Sequence, residues 1–314
     1  MTHNNTKSKS EKYSLVNFTN TIITQLYINH QHKSWQHYRA TINSFMRYRH
    51  NKDISLRKIN TNIIESYEAY LKRQNVCRNT SSFYMRILRA IYNRAVDQRL
   101  VRQQYPFRRV YTGIDKTRKR AIHFNTIKQI CRLNLPQAHA MDMARDAFLA
   151  SFFLRGISFV DLAHLRKSDL RNGFLHYNRS KTRQQIIIRW EPQMQAIVDK
   201  YKHITHNSPY LFPFIIGNGN KPATDNQQYH NAEMRIAYNL KKIRHLLGIT
   251  ENLTMYVARH SWASAAHSLH QPISLISSAL GHDSETTAQI YLRSFQSSDV
   301  DNLNAKILSE ITIK

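Results

Sequence analysis

Residues 172–190 read NGFLHYNRSKTRQQIIIRW, and this stretch sets how the rest of the chain is read. Asn172-Gly173 is a dipeptide suited to a tight turn, Phe174 to Asn178 alternates apolar with polar, a polar turn follows, and β-branched Ile186 to Ile188 close the run. The spacing predicts a small antiparallel hairpin, with Lys181 in its polar part. On both sides the grammar is helical. Upstream, AFLASFFLRGISFVDLAHL (147–165) reads as a strongly apolar helix, and Ile127, Ile130 and Leu133 as a short one. Downstream, helical periodicity is expected over Met194 to Tyr201, Ala232 to Leu247, Tyr256 to Leu269 and Ile273 to Leu280. A hairpin set among helices predicts a mainly α domain over 121–314.

The N-terminal part contains no strand signal. Four amphipathic patterns succeed one another: Leu15, Phe18, Ile22 and Leu26; Trp35, Tyr38, Ile42, Phe45 and Met46; Ile59 leading to Ile63, Ile64, Tyr67 and Leu71; and Phe83, Ile87, Leu88, Ile91 and Ala95 behind a Thr80/Ser81 start signal. They predict a four-helix domain over 12–101 after a flexible polar start, 1–11. Its faces carry Arg73, Arg78, Arg86, Arg89 and Arg94. From 102 to 120 the periodicity lapses around Pro106, Gly113 and a basic string, which reads as a linker between two domains.

The charge fits one class of partner. Among 314 residues, 46 are Lys or Arg and 20 are Asp or Glu, a net charge of +26, so the chain is drawn to polyanions, nucleic acid first. With 41% hydrophobic residues and only 7 Gly and 7 Pro it is no low-complexity segment. Cys77 and Cys131 are far apart and form no paired motif, so packed thiols are expected rather than a disulfide framework or zinc site. No apolar run approaches the roughly 20 residues of a membrane span, and the start has no signal-peptide core; a soluble, cytoplasmic protein is expected.

Two further stretches carry chemistry: TMYVARHSWASAAH from Thr254 and LGHDSETTAQIYLRSF from Leu280. The second has Leu280, Gly281, His282, Thr286 and Thr287, with Tyr291 nine residues after His282. In these motifs the chain resembles the tyrosine recombinases of the phage-integrase family, most closely the variant common in Bacteroides-type mobile elements and DNA invertases. The resemblance runs from about residue 12 to the end. It implies a SAM-like core-binding domain followed by a catalytic domain.

It also implies roles. Tyr291 is the nucleophile, and a phenol with an ordinary pKa near ~10 needs cations close by to attack as phenolate. Arg259 matches the second arginine of the family's site and would hold two oxygens of the scissile phosphate. Lys181 matches the hairpin lysine that protonates the departing 5′ oxygen, and His282 is the histidine of the Leu-Gly-His element. Two positions depart from the pattern. Tyr256 stands where the family has a histidine, and His260, one turn on, offers a replacement base. GISFVDL (156–162) puts Ser158 in the slot of the family's first arginine, and Arg155, expected one turn back on the same helical face, would supply that guanidinium.

The resemblance further implies a clamp on double-stranded DNA at inverted-repeat sites, a 3′-phosphotyrosyl intermediate, and strand exchange through a Holliday junction in a homotetramer, with accessory DNA-bending proteins as further partners. Neither metal nor nucleotide cofactor is implied, and the sequence has no P-loop or carboxylate cluster. The four-helix segment starts almost at once, which favours an invertase or transposon recombinase without an added arm-binding domain. An apolar stripe of Val300, Leu303, Ile307, Leu308 and Ile311 reads as a terminal helix that docks on a neighbouring protomer. A topoisomerase-like nicking and resealing enzyme and a catalytically silent DNA-binding factor are the alternatives.

Overall fold

The computed structural model describes residues 13–29, 31–115, 121–136, 140–216 and 222–281. The expected flexible start, His282, Tyr291 and the stripe from Val300 to Ile311 lie outside the described residues. The chain divides into two units, Met1–Thr117 and Arg118–Lys314, each with its own core.

The first unit is built from α1 (Leu15–Ile28), α2 (His32–Tyr48), α3 (Thr61–Arg73) and α4 (Arg78–Asp97). Ser14 caps α1, and Asn60 caps α3 by accepting from the Ile63 amide at 3.1 Å, so Ile59 lies just before its helix. The helix α4 begins one turn earlier than the Thr80/Ser81 signal, behind Cys77; it buries Ser81, Ser82, Met85, Leu88, Ile91, Tyr92 and Ala95. Phe83 and Ile87 flank that face half-buried. The stretch read as the start of a linker folds back on this unit: Phe107 and Val110 enter the core, the Tyr111 amide donates to Glu68 at 2.9 Å, and the Asp115 amide donates to Asn79 at 2.7 Å.

The second unit centres on α6 (Ala140–Phe153), which packs against α10 (Pro222–Leu246) and α11 (Met255–Ser268); α5 (Phe124–Arg132), α7 (Phe159–Ala163), α8 (Pro192–Lys200), α9 (Lys202–Thr205) and α12 (Ile273–Ala279) surround it. The expected single helix over 147–165 is instead α6 and α7, separated by a turn at Arg155 and Gly156, both at positive φ (57° and 72°). The physical reason is contact. A Cβ on Gly156 would lie 2.6 Å from Arg259 Cα, so only a glycine in a tight turn lets α11 approach this closely.

The hairpin is present with an additional short strand. Strands β1 (Leu170–Arg171), β2 (Phe174–Asn178) and β3 (Gln185–Arg189) form an antiparallel sheet in that order. Asn172 and Gly173, both with positive φ, join β1 to β2. Leu175 faces Ile188 and Tyr177 faces Ile186 across β2 and β3, and the buried Leu175, Ile186 and Ile188 hold the sheet to the core, each worth about 1.5–3 kcal/mol of apolar burial. Ile187, on the opposite face, is 48% exposed. Among the described residues no helix is long and apolar enough to cross a membrane.

Candidate active site

Arg259 occupies the middle of α11 and is buried to 4% exposure. Its Nη1 donates to the Gly156 carbonyl at 2.8 Å, and its Nη2 to the Leu280 carbonyl. One guanidinium thus ties the α6–α7 turn to the C-terminal end of α12, two residues short of His282. Gly281, at φ +63°, closes α12 as the sequence predicts.

Arg155 does not share a helical face with Ser158. It sits in the turn at φ 57°, and its Nη1 makes a long 3.4 Å contact to the Ile187 carbonyl on β3. Ser158 has a different task from the one its slot implied. It is the N-cap of α7, its hydroxyl donating to Asp161 Oδ2 at 2.6 Å. Asp161, 5% exposed, also accepts from the Ser180 amide at 2.9 Å and from the Ser180 hydroxyl. This carboxylate braces the β2–β3 turn, whose exposed Lys181 follows Ser180 directly.

Tyr256 is 54% exposed on α11, and its ring meets that of His260 edge-on with centroids 4.7 Å apart. The two form an i, i+4 pair beside Arg259. His282 and Tyr291 are outside the described residues, so the site is seen from the side that would receive a phosphate.

Three residues of this region were not singled out from sequence. Arg179 donates through Nη1 to the Gly281 carbonyl. Asp161 was visible only as an acid in register. Tyr177, half-buried on β2, has its phenol pushed well above the ordinary range, first by burial and then by the Asp161 carboxylate, against the pull of Arg259, Arg179 and Arg155. Those opposing pulls locate three guanidiniums around one side chain. Tyr177 shares the inward face of β2 with Leu175, so alternation marks it as core; no periodicity marks Arg179.

Chemically, this is a concentration of fixed cations anchored on main-chain carbonyls, suited to a tetrahedral anion. Among the described residues no group of three or more His, Cys, Asp or Glu is placed to hold a metal ion.

Residues 14–110 match the family model described as the phage integrase SAM-like domain, and residues 124–298 match that of the phage integrase family. No curated protein matches the chain. Among solved structures, a lambda integrase dimer bound to a COC′ core site is 16% identical with a TM-score of 0.65, over 88% of this chain and 95% of that one. XerH recombinase bound to a palindromic difH substrate is 13% identical with a TM-score of 0.64, over 87% and 79% of the two chains. The Tn1549 transposon integrase in complex with transposon right end DNA is 12% identical with a TM-score of 0.63, over 96% and 100%.

Proposed function

The chain belongs to the phage integrase family of tyrosine recombinases, and on that premise we propose that it cuts and rejoins duplex DNA at inverted repeats with Tyr291 as nucleophile. The Tyr291 oxygen attacks the scissile phosphorus, a 3′-phosphotyrosyl bond forms, and the bond to the 5′ oxygen breaks. Lys181 gives that oxygen its proton. Arg259 and Arg155 hold the non-bridging oxygens with His282, while Tyr256 donates to the phosphate and His260 orients it. Attack by another strand's 5′ hydroxyl reverses the step and releases the tyrosine. Four protomers on two synapsed duplexes would exchange strands in turn, with the C-terminal stripe docking on a neighbour, accessory DNA-bending proteins assisting, and the whole assembly working on cytoplasmic DNA.

The observation that carries this reading is the convergence of Arg259, Arg179 and Arg155 around the carbonyls and side chains that lead into His282. Preorganised donors of this kind contribute about 2.7–4 kcal/mol each to stabilising developing charge. The test is a nicked duplex carrying the inverted repeats adjacent to the protein's own gene. The protein should form a denaturant-resistant adduct with it, and Tyr291→Phe should form none while still binding. Specific binding without any adduct would overturn the proposal in favour of a silent DNA-binding factor.

A further inference from the structure

Gly281 is pressed against the hairpin. A Cβ there would come within 2.6 Å of Ile186 Cδ1, 3.1 Å of Gln184 Oε1 and 3.6 Å of Arg179 Cδ. All three belong to the arms of the turn that carries Lys181. Arg179 takes part twice. Its main chain builds the turn, with its amide donating to the Gln184 carbonyl at 2.9 Å and its carbonyl accepting from the Arg183 amide at 2.8 Å. Its guanidinium ends on the Gly281 carbonyl, one residue before His282.

The carbonyls of Leu280 and Gly281 stand at the C-terminal end of α12, where no intrahelical partner exists and partial negative charge gathers. Arg259 takes the first and Arg179 the second. From the other side of the turn, Asp161 holds Ser180. The lysine turn is therefore fastened at both ends, to the acid of α7 and to the chain entering the histidine.

Building on the recombinase reading above, we infer that Arg179 is a positioning residue that locks the Lys181 turn to the His282 segment, so that proton donor and phosphate grip move as one unit. The reason this matters is geometric. A general acid acts only within hydrogen-bond reach of the leaving oxygen, and a 1 Å misplacement costs on the order of 10²-fold. Arg179 touches neither phosphate nor leaving group in this account; it fixes where Lys181 is.

The experiment compares two nicked duplexes carrying the same repeats, one natural and one with sulfur in place of the scissile 5′ oxygen. A thiolate leaves without a proton, so the second substrate does not need a placed acid. Arg179→Ala should form adduct at least ~10-fold more slowly on the oxygen substrate, bind DNA within ~2-fold of the unmutated protein, and recover to within ~3-fold of it on the sulfur substrate. Arg179→Lys, which keeps a donor for the Gly281 carbonyl, should lie between; if Arg179→Ala does not fold, the oxygen-to-sulfur ratio of Arg179→Lys decides. An unchanged ratio in the folded variants overturns the inference while leaving the recombinase reading intact, and so does an equal defect on both substrates, which would mean a direct grip on the phosphate. An unmutated protein that forms no adduct on either substrate removes both.

Discussion

Two clusters of charge in the second unit are built from similar residues and do opposite things. Between α6 and α8, Arg145 reaches Asp142 at 2.6 Å and Asp146 at 2.7 Å, Lys200 reaches Asp142 at 2.5 Å and Asp146 at 2.6 Å, and the Tyr201 hydroxyl donates to Asp146 at 2.8 Å. There two cations meet two carboxylates and the charge is consumed inside the fold. At the candidate active site, Arg259 and Arg179 donate to the carbonyls of Gly156, Leu280 and Gly281, and Asp161 accepts from Ser158 and Ser180. A carbonyl fixes the direction of a guanidinium without cancelling its charge. The lesson is that the partner, more than the count of arginines, separates charge that holds the protein together from charge kept for a ligand.

The comparison is broken most strongly by removing a carboxylate from the first cluster. Asp146→Ala leaves Arg145 and Lys200 sharing Asp142 alone in a buried place, and should cost roughly 3–5 kcal/mol of stability. Denaturant unfolding measures it, and the fraction that remains folded should form adduct at the unmutated rate. The complementary change is Arg259→Gln, which should slow adduct formation by about 10²–10³-fold with DNA binding retained. Equal damage to stability and rate from both substitutions would erase the distinction drawn here.

A smaller effect sharpens it. The Tyr201 phenol is raised above its ordinary value, first by burial and then by the Asp146 carboxylate. A group raised on folding stabilises the native state while it is protonated in both states, so this contribution is complete below the unfolded phenol's pKa of about 10 and is lost as pH climbs beyond it. Tyr201→Phe should cost about 1–2 kcal/mol at neutral pH and make the loss of stability above about pH 10 shallower. Unfolding free energies at pH 7, 9 and 11 check it. Adduct formation at neutral pH should not change.

How far the sequence could be read depended on what kind of contact decides each feature. Periodicity sufficed where burial alone decides: α1, α2 and α8, the alternation of β2, and Gly281 at the end of α12. It failed at 147–165, where the residues are apolar throughout and the break is imposed by α11 approaching Gly156, a contact over a hundred residues away in the chain. It also passed over Phe107 and Val110, because two apolar residues in a basic, Pro-containing stretch have no period. At the site, motif spacing pointed to Arg259 and Lys181, whereas Arg179 is defined by its carbonyl partner, and no pattern along the chain encodes that pairing. Arg155 was assigned to a helical face that the turn at Gly156 abolishes.

Ser158 gives the finest test of the distinction between the two kinds of charge. It stands in the slot where the family has an arginine, yet its hydroxyl faces Asp161 and caps α7. If its work is local, Ser158→Ala should cost about 1 kcal/mol, the usual value of an N-cap, and alter the rate of adduct formation by less than ~3-fold. Ser158→Asp should fare worse than alanine despite being a good cap, because a second carboxylate would sit against Asp161 without a proton between them. Thermal unfolding and adduct kinetics on the same samples make the check. A Ser158→Ala rate loss as large as that of Arg259→Gln would move Ser158 from the scaffold to the phosphate, and the hydroxyl would then have to turn away from Asp161 when DNA binds.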